Sequence, residues 1–283
     1  MKIKSSKLFF LLLFSLLFAC NSESQNYIYP QNILLPYSAE AWGVGGASVS
    51  SQNVMAVFNN PAAYSDIQKF QCGIYSDQRF SQTKIISGAA AIVIPARVMN
   101  IGFAASHFGD SIYNQEKIGI SVSRHLSKKL SLGATMSYMA TYKTGDVMRG
   151  NILGEIGLHF EATEKLKLGL FIFNPSQSVY SVLDQNKIPT FVRLGAGYEI
   201  ADNTELLIEA QQGINQPLIL RGGVKYKFNS LFSAAAGIAS NPVYLTFGLS
   251  LRLKNTRLDY AAGFHEILGY APHLGIIFPE KSE

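Results

Sequence analysis

Most of the chain repeats one pattern, which constrains its fold more than any other feature. From about Lys69 to the C-terminus, segments of roughly ten residues alternate apolar side chains with polar or small ones. Between Val192 and Ile200, for example, every second residue is apolar, and the residues between are Arg, Gly, Gly and Glu. A strand with one face in lipid and the other in water has this pattern. Because a soluble β-sandwich strand can share it, the alternation alone leaves both folds open.

The N-terminus has the form of a secretory signal peptide. Three lysines precede an apolar stretch over residues 8–18, which is too short for a comfortable membrane-spanning helix. We therefore expect residues 1–19 to be a cleaved signal that takes the protein out of the cytoplasm. The stretch ends in Ala19-Cys20, which resembles a bacterial lipobox, so Cys20 is a candidate for lipidation. An ordinary signal peptide with an incidental cysteine is the alternative.

Composition favours a membrane barrel. Charged residues make up 15% of the chain and aromatic residues 12%, which suits a β-barrel whose outer face contacts lipid and does not have to be water-soluble. The net charge of +5 includes the three lysines of the leader. The remaining chain is therefore near +2, about neutral, which gives no reason to expect a nucleic-acid partner. Beyond the leader there is no run of roughly 18 apolar residues, so we expect no membrane-spanning helix.

Fourteen strand-like segments can be counted after residue 69. Their approximate centres are Ile74, Ala91, Phe103, Ile120, Ala134, Ile156, Leu170, Leu194, Ile208, Val224, Ala236, Phe247, Tyr260 and Leu274. Closing such a sheet removes unpaired edge groups, which cost several kcal/mol each in hydrocarbon. We predict an all-β fold, a transmembrane antiparallel β-barrel of about 14 strands over residues 69–283. Residues 20–68 are predicted to form a plug-like N-terminal segment at or in the lumen.

The alternation also predicts which charged side chains face the lumen, because a charge facing lipid at the midplane costs a few kcal/mol. The predicted lumen-facing charges are Glu155, Arg193, Glu199, Glu205, Glu209, Arg221, Lys225, Arg252, Arg257 and Asp259. Glu155 and His159 share a face but lie about 13 Å apart, too far for a shared metal or proton relay. The chain has no Gly-x-Ser-x-Gly motif and no metal-ligand spacing. We expect no catalytic residue, metal or cofactor, and we predict a loop over His107–Asp110.

The segment before the barrel has its own motif. Gly43, Gly45 and Gly46 are too close together for a dinucleotide-binding fingerprint, and no βαβ unit follows them. Glycines instead let the backbone approach a neighbouring wall closely. Further on, Asn60-Pro61 predicts a turn.

This ordered set of residues resembles the N-terminal signature of PorV/PorQ-type proteins, which are related to FadL-type fatty-acid transporters. The matching positions are Gly43, Gly45, Gly46, Asn60, Pro61 and Ala62. Val44 departs from the signature, which commonly has Met there. The resemblance implies a fourteen-stranded barrel in the outer membrane of a Gram-negative bacterium, with Bacteroidota as the expected source.

The resemblance implies two alternative functions, both non-enzymatic. The first is an accessory or partner component of an outer-membrane machine such as type IX secretion, with outer-membrane lipids and secretion-system proteins as partners. The second is a FadL-like transporter of small hydrophobic compounds. The transporter alternative predicts an apolar pocket and a kink or gap in the wall near Gly222-Gly223.

Overall fold

The structure, a computed structural model, describes residues 35–78, 84–145, 149–178, 188–266 and 269–279. Fourteen antiparallel strands follow one another around a closed barrel, in which β1 pairs with β14. Each predicted centre lies in a different strand, so the predicted fold is confirmed. The strands are β1 (Gln71–Gln78), β2 (Ile86–Pro95), β3 (Asn100–Gly109), β4 (Tyr113–His125), β5 (Leu130–Lys143), β6 (Arg149–Glu161), β7 (Leu166–Phe173), β8 (Phe191–Ala201), β9 (Thr204–Gly213), β10 (Ile219–Lys227), β11 (Phe232–Ala239), β12 (Tyr244–Leu253), β13 (Thr256–His265) and β14 (Gly269–Phe278).

The two ends of the barrel differ. At one end, which we call the turn end, β1 begins, β14 ends, and the connections have two to four residues. The opposite end, the loop end, carries the longest connection, residues 174–190 between β7 and β8. Short turns mark the periplasmic side of outer-membrane barrels, so we assign the turn end to the periplasm.

Two sequence predictions about the wall are wrong. His107 to Gly109 belong to β3 and not to a loop, because this strand keeps its pairing on both sides up to Gly109. The turn starts only at Asp110, whose carboxylate accepts hydrogen bonds from the amides of Ile112 and Tyr113. The gap that the transporter alternative predicts at Gly222-Gly223 is also absent, because β10 pairs there in continuous register with both β9 and β11.

The outer surface of the wall is apolar. Ile118 and Ile120 on β4, like Phe247 and Leu249 on β12, project outward and are exposed in the isolated chain. Such a face is stable when hydrocarbon covers it. A closed barrel with this face is a fold of the Gram-negative outer membrane, which supports the predicted location. Neither helix of the described chain is long and apolar enough to cross a membrane.

The lumen is occupied by residues 35–68, which we call the plug. The plug contains two short helices, α1 (Ala39–Gly43) and α2 (Ala56–Asn59). Ser38 caps α1, since its hydroxyl accepts a hydrogen bond from the amide of Ala41 at 3.3 Å. Val49, Val54 and Asn60 have no exposed surface at all. The core of the protein therefore lies between the plug and the inner face of the barrel.

Candidate functional site: a fastened plug and an aromatic cavity

Glycines on nine strands form the surface on which the plug rests. A Cβ atom at any of these positions would come within 3.0 Å of a plug atom, so only glycine leaves room for such close approach. We call them the wall glycines; they are Gly73, Gly102, Gly133, Gly157, Gly169, Gly195, Gly223, Gly237 and Gly248. The backbone of Val44 lies against Gly223, which explains why a glycine stands there without opening the wall.

The glycines of the plug motif meet the wall from the other side. Gly43 packs with its Cα against Gly248, and Gly45 donates its amide hydrogen to Thr246 Oγ1 at 2.9 Å. Gly45 has φ +74°, and a Cβ there would lie 2.3 Å from the carbonyl oxygen of Ile238. Gly46 has φ +86°. Backbone conformation and contact thus both require glycine at position 45.

The Asn60-Pro61-Ala62 turn fastens the middle of the plug. Asn60 Nδ2 donates to the carbonyl oxygens of Val49 at 2.7 Å and of Leu158 on β6 at 3.0 Å. Its Oδ1 accepts from the amide of Ala62 at 3.1 Å. One buried side chain therefore joins two parts of the plug to each other and to the barrel wall.

A buried carboxylate from the wall binds the backbone of the plug. Glu209 Oε2 accepts hydrogen bonds from the amides of Ser48 at 2.8 Å and Val49 at 2.9 Å. Its other oxygen accepts from Arg221 Nη1 at 2.9 Å. Charged hydrogen bonds of this kind are roughly twice as strong as neutral ones, so Glu209 is a principal attachment point of the plug.

Two neighbouring side chains complete this group. Arg193 Nε donates to Gln211 Oε1 at 2.9 Å and lies 3.8 Å from Glu209 Oε1, and Arg221 also donates to Gln211. Arg193, Glu209, Gln211 and Arg221 are all buried, and we call them the Glu209 cluster. Arginine is suited to such a place because its planar fork satisfies several acceptors at once.

A second attachment lies on α1, nearer the turn end. Glu40 accepts hydrogen bonds from Arg257 Nη2 at 2.7 Å, from Asn53 Nδ2 at 2.8 Å, and from Lys225. Burial alone would raise the pKa of Glu40, but the charges of Arg257 and Lys225 and the hydrogen bonds lower it well below the usual range. Glu40 therefore stays ionised in the folded protein. Arg257 Nε also donates to Asp259 at 3.1 Å.

The remaining predicted charges lie elsewhere on the inner face. Glu155 on β6 forms an ion pair with Lys117 of β4 at 2.7 Å. Glu199 lies 3.9 Å from Lys167 near the turn end, and it stands opposite Glu205 in the ladder between β8 and β9. Arg252 lines the turn-end mouth opposite Arg257. Cys20 lies outside the described residues. No three potential metal ligands group together in the described chain.

A small aromatic cavity, partly open to solvent, lies between the plug and the wall toward the loop end. Phe173, the last residue of β7, and Phe191, the first of β8, stack there with ring centres 5.0 Å apart. Lys117 Nζ lies 5.5 Å from the centre of the Phe173 ring. The cavity is lined by Leu35, Tyr37 and Phe58 of the plug and by Ser106, Gln115, Glu116, Lys117, Met139, Phe171, Phe173, Phe191 and Arg193 of the wall.

Sequence reasoning missed this cavity and the plug residue Glu40. The alternating Phe171-Ile172-Phe173 was a usable signal, since the parity that sends Arg193 inward applies equally to aromatic residues at a strand end. No sequence signal identifies Glu40, because its two cationic partners, Lys225 and Arg257, are more than 180 residues away along the chain.

Solved structures with a similar fold include a FadL homologue and two proteins described as toluene transporters. A FadL homologue of Pseudomonas aeruginosa superimposes with a TM-score of 0.63 at 14% identity, covering 86% of this chain and 98% of that one. The toluene transporter TodX of Pseudomonas putida gives 0.64 at 12% identity, covering 86% and 96%. The toluene transporter TbuX of Ralstonia pickettii gives 0.58 at 13% identity, also covering 86% and 96%.

Comparison by sequence gives no match: no family model and no curated protein matches the chain. At such low identity the structural likenesses establish the fold. They support the FadL-like part of the sequence prediction, and the chain shares the closed barrel fold of these outer-membrane proteins.

Proposed function

We propose that this protein binds small hydrophobic compounds in the aromatic cavity and passes them across the outer membrane. The observation that carries the proposal is the cavity itself, a slot of stacked aromatic rings between the plug and the wall. Pockets for small molecules are mostly apolar, with a few polar groups that orient the ligand. The similarity in fold to proteins described as toluene transporters supports the same proposal.

The charges around the cavity favour a neutral ligand. Lys117 is neutralised by Glu155, and Arg193 lies beside Glu209. Both cations also lie over aromatic rings, Lys117 over Phe173 and Arg193 over Phe191 at 5.0 Å. Since their charge is already compensated, burial of apolar surface, worth about 25 cal/mol per Å², is the main source of affinity.

Passage beyond the cavity requires the plug to move. The plug fills the lumen below the cavity and is held there by the Glu209 cluster and by Glu40. In this proposal a bound compound crosses only in conformations in which one of these attachments opens. Transport is then slow compared with diffusion through an open pore.

Toluene binding to the purified barrel tests the proposal. Phe173→Ala removes one ring of the stacked pair. We expect it to raise the dissociation constant for toluene about three- to tenfold, which corresponds to the free energy of one aromatic contact. Phe264→Ala is the matched control, because Phe264 projects from the outer face of β13. Absence of saturable binding, or equal affinity of the two variants, would contradict the proposal.

A second candidate is the PorV/PorQ-like role as a partner barrel in an outer-membrane machine such as type IX secretion. Its support is the fastened plug together with the short turn-end connections, which suit a closed structural component. Affinity purification of the tagged barrel after crosslinking in native outer membranes tests it. Recovery of the barrel without any crosslinked outer-membrane or secretion protein would count against this role.

A further inference from the structure

Two buried polar atoms near the aromatic cavity have no hydrogen-bond partner among the described residues. They are Oε2 of Glu155 on β6 and Oγ1 of Thr135 on β5. The Glu155 side chain has no exposed surface, and Thr135 is 6% exposed. Buried polar groups are almost always paired in folded proteins, because an unpaired one costs the free energy of its desolvation. The two atoms therefore mark a place where a ligand group can bind.

The two side chains are neighbours in the sheet. Thr135 and Glu155 are direct partners in the antiparallel register between β5 and β6, and both lie on the inner face of the wall. The Cβ atoms of such partners lie about 4.5–5.5 Å apart. One small group in the lumen can therefore contact both residues.

Glu155 connects this place to the aromatic cavity. Its other oxygen, Oε1, accepts a hydrogen bond from Nζ of Lys117 at 2.7 Å, and Lys117 lines the cavity. On its other side Glu155 is the register partner of Phe173, which belongs to the stacked aromatic pair. The carboxylate therefore borders the cavity on its polar side.

The hydrogen-bond roles of the two atoms match a hydroxyl group. An ionised carboxylate only accepts hydrogen bonds, whereas the threonine hydroxyl can donate as well. A ligand hydroxyl can donate to Glu155 and accept from Thr135 at the same time. Hydrogen bonds to a charged acceptor are roughly twice as strong as neutral ones, so the bond to Glu155 is the stronger of the two.

The charges around the cavity favour a neutral donor. Glu155 is already paired with Lys117, and Arg193 is a second cation in the cavity lining. An ammonium group on the ligand would be repelled by these two cations, and an anion would be repelled by Glu155. A neutral hydroxyl avoids both costs.

We propose that the aromatic cavity binds aromatic compounds that carry a neutral hydroxyl group, the phenol class, with the hydroxyl held by Glu155 and Thr135. This inference rests on the proposed function, because it assigns a class of ligand to the same cavity. Toluene has a methyl group in place of the hydroxyl and leaves both buried atoms unpaired. A site built to hydrogen-bond a hydroxyl discriminates strongly against the analogue that lacks it.

Calorimetric titration of the full chain in lipid nanodiscs at pH 7 tests the inference, with empty nanodiscs as the blank for partitioning into lipid. The probes are phenol, toluene and anisole, a methyl ether that can accept a hydrogen bond but cannot donate one. We expect phenol to bind about tenfold more tightly than toluene, as one charged hydrogen bond allows, and anisole to bind no more tightly than toluene.

Thr135→Val separates ligand recognition from folding, since valine has a similar shape and removes a buried hydroxyl that lacks a partner among the described residues. We expect it to weaken phenol binding about fivefold and to change toluene binding by less than about twofold. Ser87→Ala on β2 is the matched control, because the Ser87 hydroxyl is buried in the same way but does not line the cavity. It should bind all three probes as the wild type does.

The outcomes distinguish this inference from the proposed function. If toluene binds saturably and phenol is not preferred, the hydroxyl inference is overturned and the proposed function stands. Anisole binding as tightly as phenol, or equal losses of phenol and toluene affinity in Thr135→Val, would also overturn it. Binding of phenol without toluene supports the hydroxyl as the recognised group, and a failure of all three probes to bind refutes both proposals.

Discussion

Two glycines of β6 provide the sharpest test of the plug-on-wall packing. Gly157 faces the plug, and a Cβ there would lie 2.1 Å from Asn60 Oδ1, well inside the 3.4 Å at which ordinary van der Waals contact begins. Asn60 cannot yield without straining its hydrogen bonds to Val49, Leu158 and Ala62. Overpacking costs about 1–3 kcal/mol and each lost hydrogen bond about 1 kcal/mol, so Gly157→Ala should destabilise the seated plug by about 2–5 kcal/mol.

The emission of Trp42 measures this effect directly. The only tryptophan stacks on His273 inside the lumen, so it reports on the plug. In Gly157→Ala we expect a red-shifted spectrum and plug release at lower denaturant concentration. Gly154→Ala is the control on the same strand, since a Cβ there meets nothing within 4 Å. If both variants keep the wild-type spectrum and midpoint, the packing argument is wrong.

Three further predictions concern the attachments of the plug. Glu209→Ala leaves Arg221 without its buried carboxylate and should cost about 3–5 kcal/mol in thermal unfolding. Glu164→Ala, in the exposed turn between β6 and β7, is the control and should have almost no effect; equal shifts would refute the role of Glu209. Gly45→Ala should destabilise the protein far more than Gly269→Ala, because both glycines have positive φ but an added Cβ clashes with another part of the chain only at Gly45. Chymotrypsin digestion rates and unfolding midpoints compare the two variants, and equal shifts would contradict the contact of Gly45 with the wall. Because the pKa of Glu40 is lower in the folded state than its ordinary value of 4.5, its stabilisation is fully present above about pH 5 and is lost as pH falls through the folded pKa. The emission of Trp42 in the wild type should therefore stay constant between about pH 5 and pH 8. In Glu40→Gln it should be red-shifted over the whole range. A wild-type transition in this range would contradict the conclusion that Glu40 stays ionised there.

Features governed by local alternation could be predicted from the sequence. The fourteen strands follow from alternation within each segment, which is a property of neighbouring residues and needs no knowledge of the partner strand. His107 to Gly109 were misassigned because Gly109-Asp110 has turn composition, while pairing with β2 and β4 extends the strand. The transporter alternative predicts a gap at Gly222-Gly223, but Val44 of the plug packs against Gly223, and a sequence does not say which backbone approaches a glycine.

The cavity and the attachments depend on distant residues. Lys117 meets Glu155 across 38 residues, and Glu40 meets Arg257 across 217. Such pairs are decided by strand register and by the path of the plug, and a single sequence specifies neither. The sequence identifies the plug glycines as residues that permit close approach. Which wall glycines they contact depends on the closed barrel and cannot be predicted from the sequence.

Ion conductance across a planar lipid bilayer tests the central claim most directly, namely that a fastened plug fills the lumen of a closed barrel. The reconstituted wild-type protein should show no steady conductance, whereas Gly157→Ala should show transient openings as its plug leaves the wall. A steady wild-type conductance typical of an open porin would contradict the account.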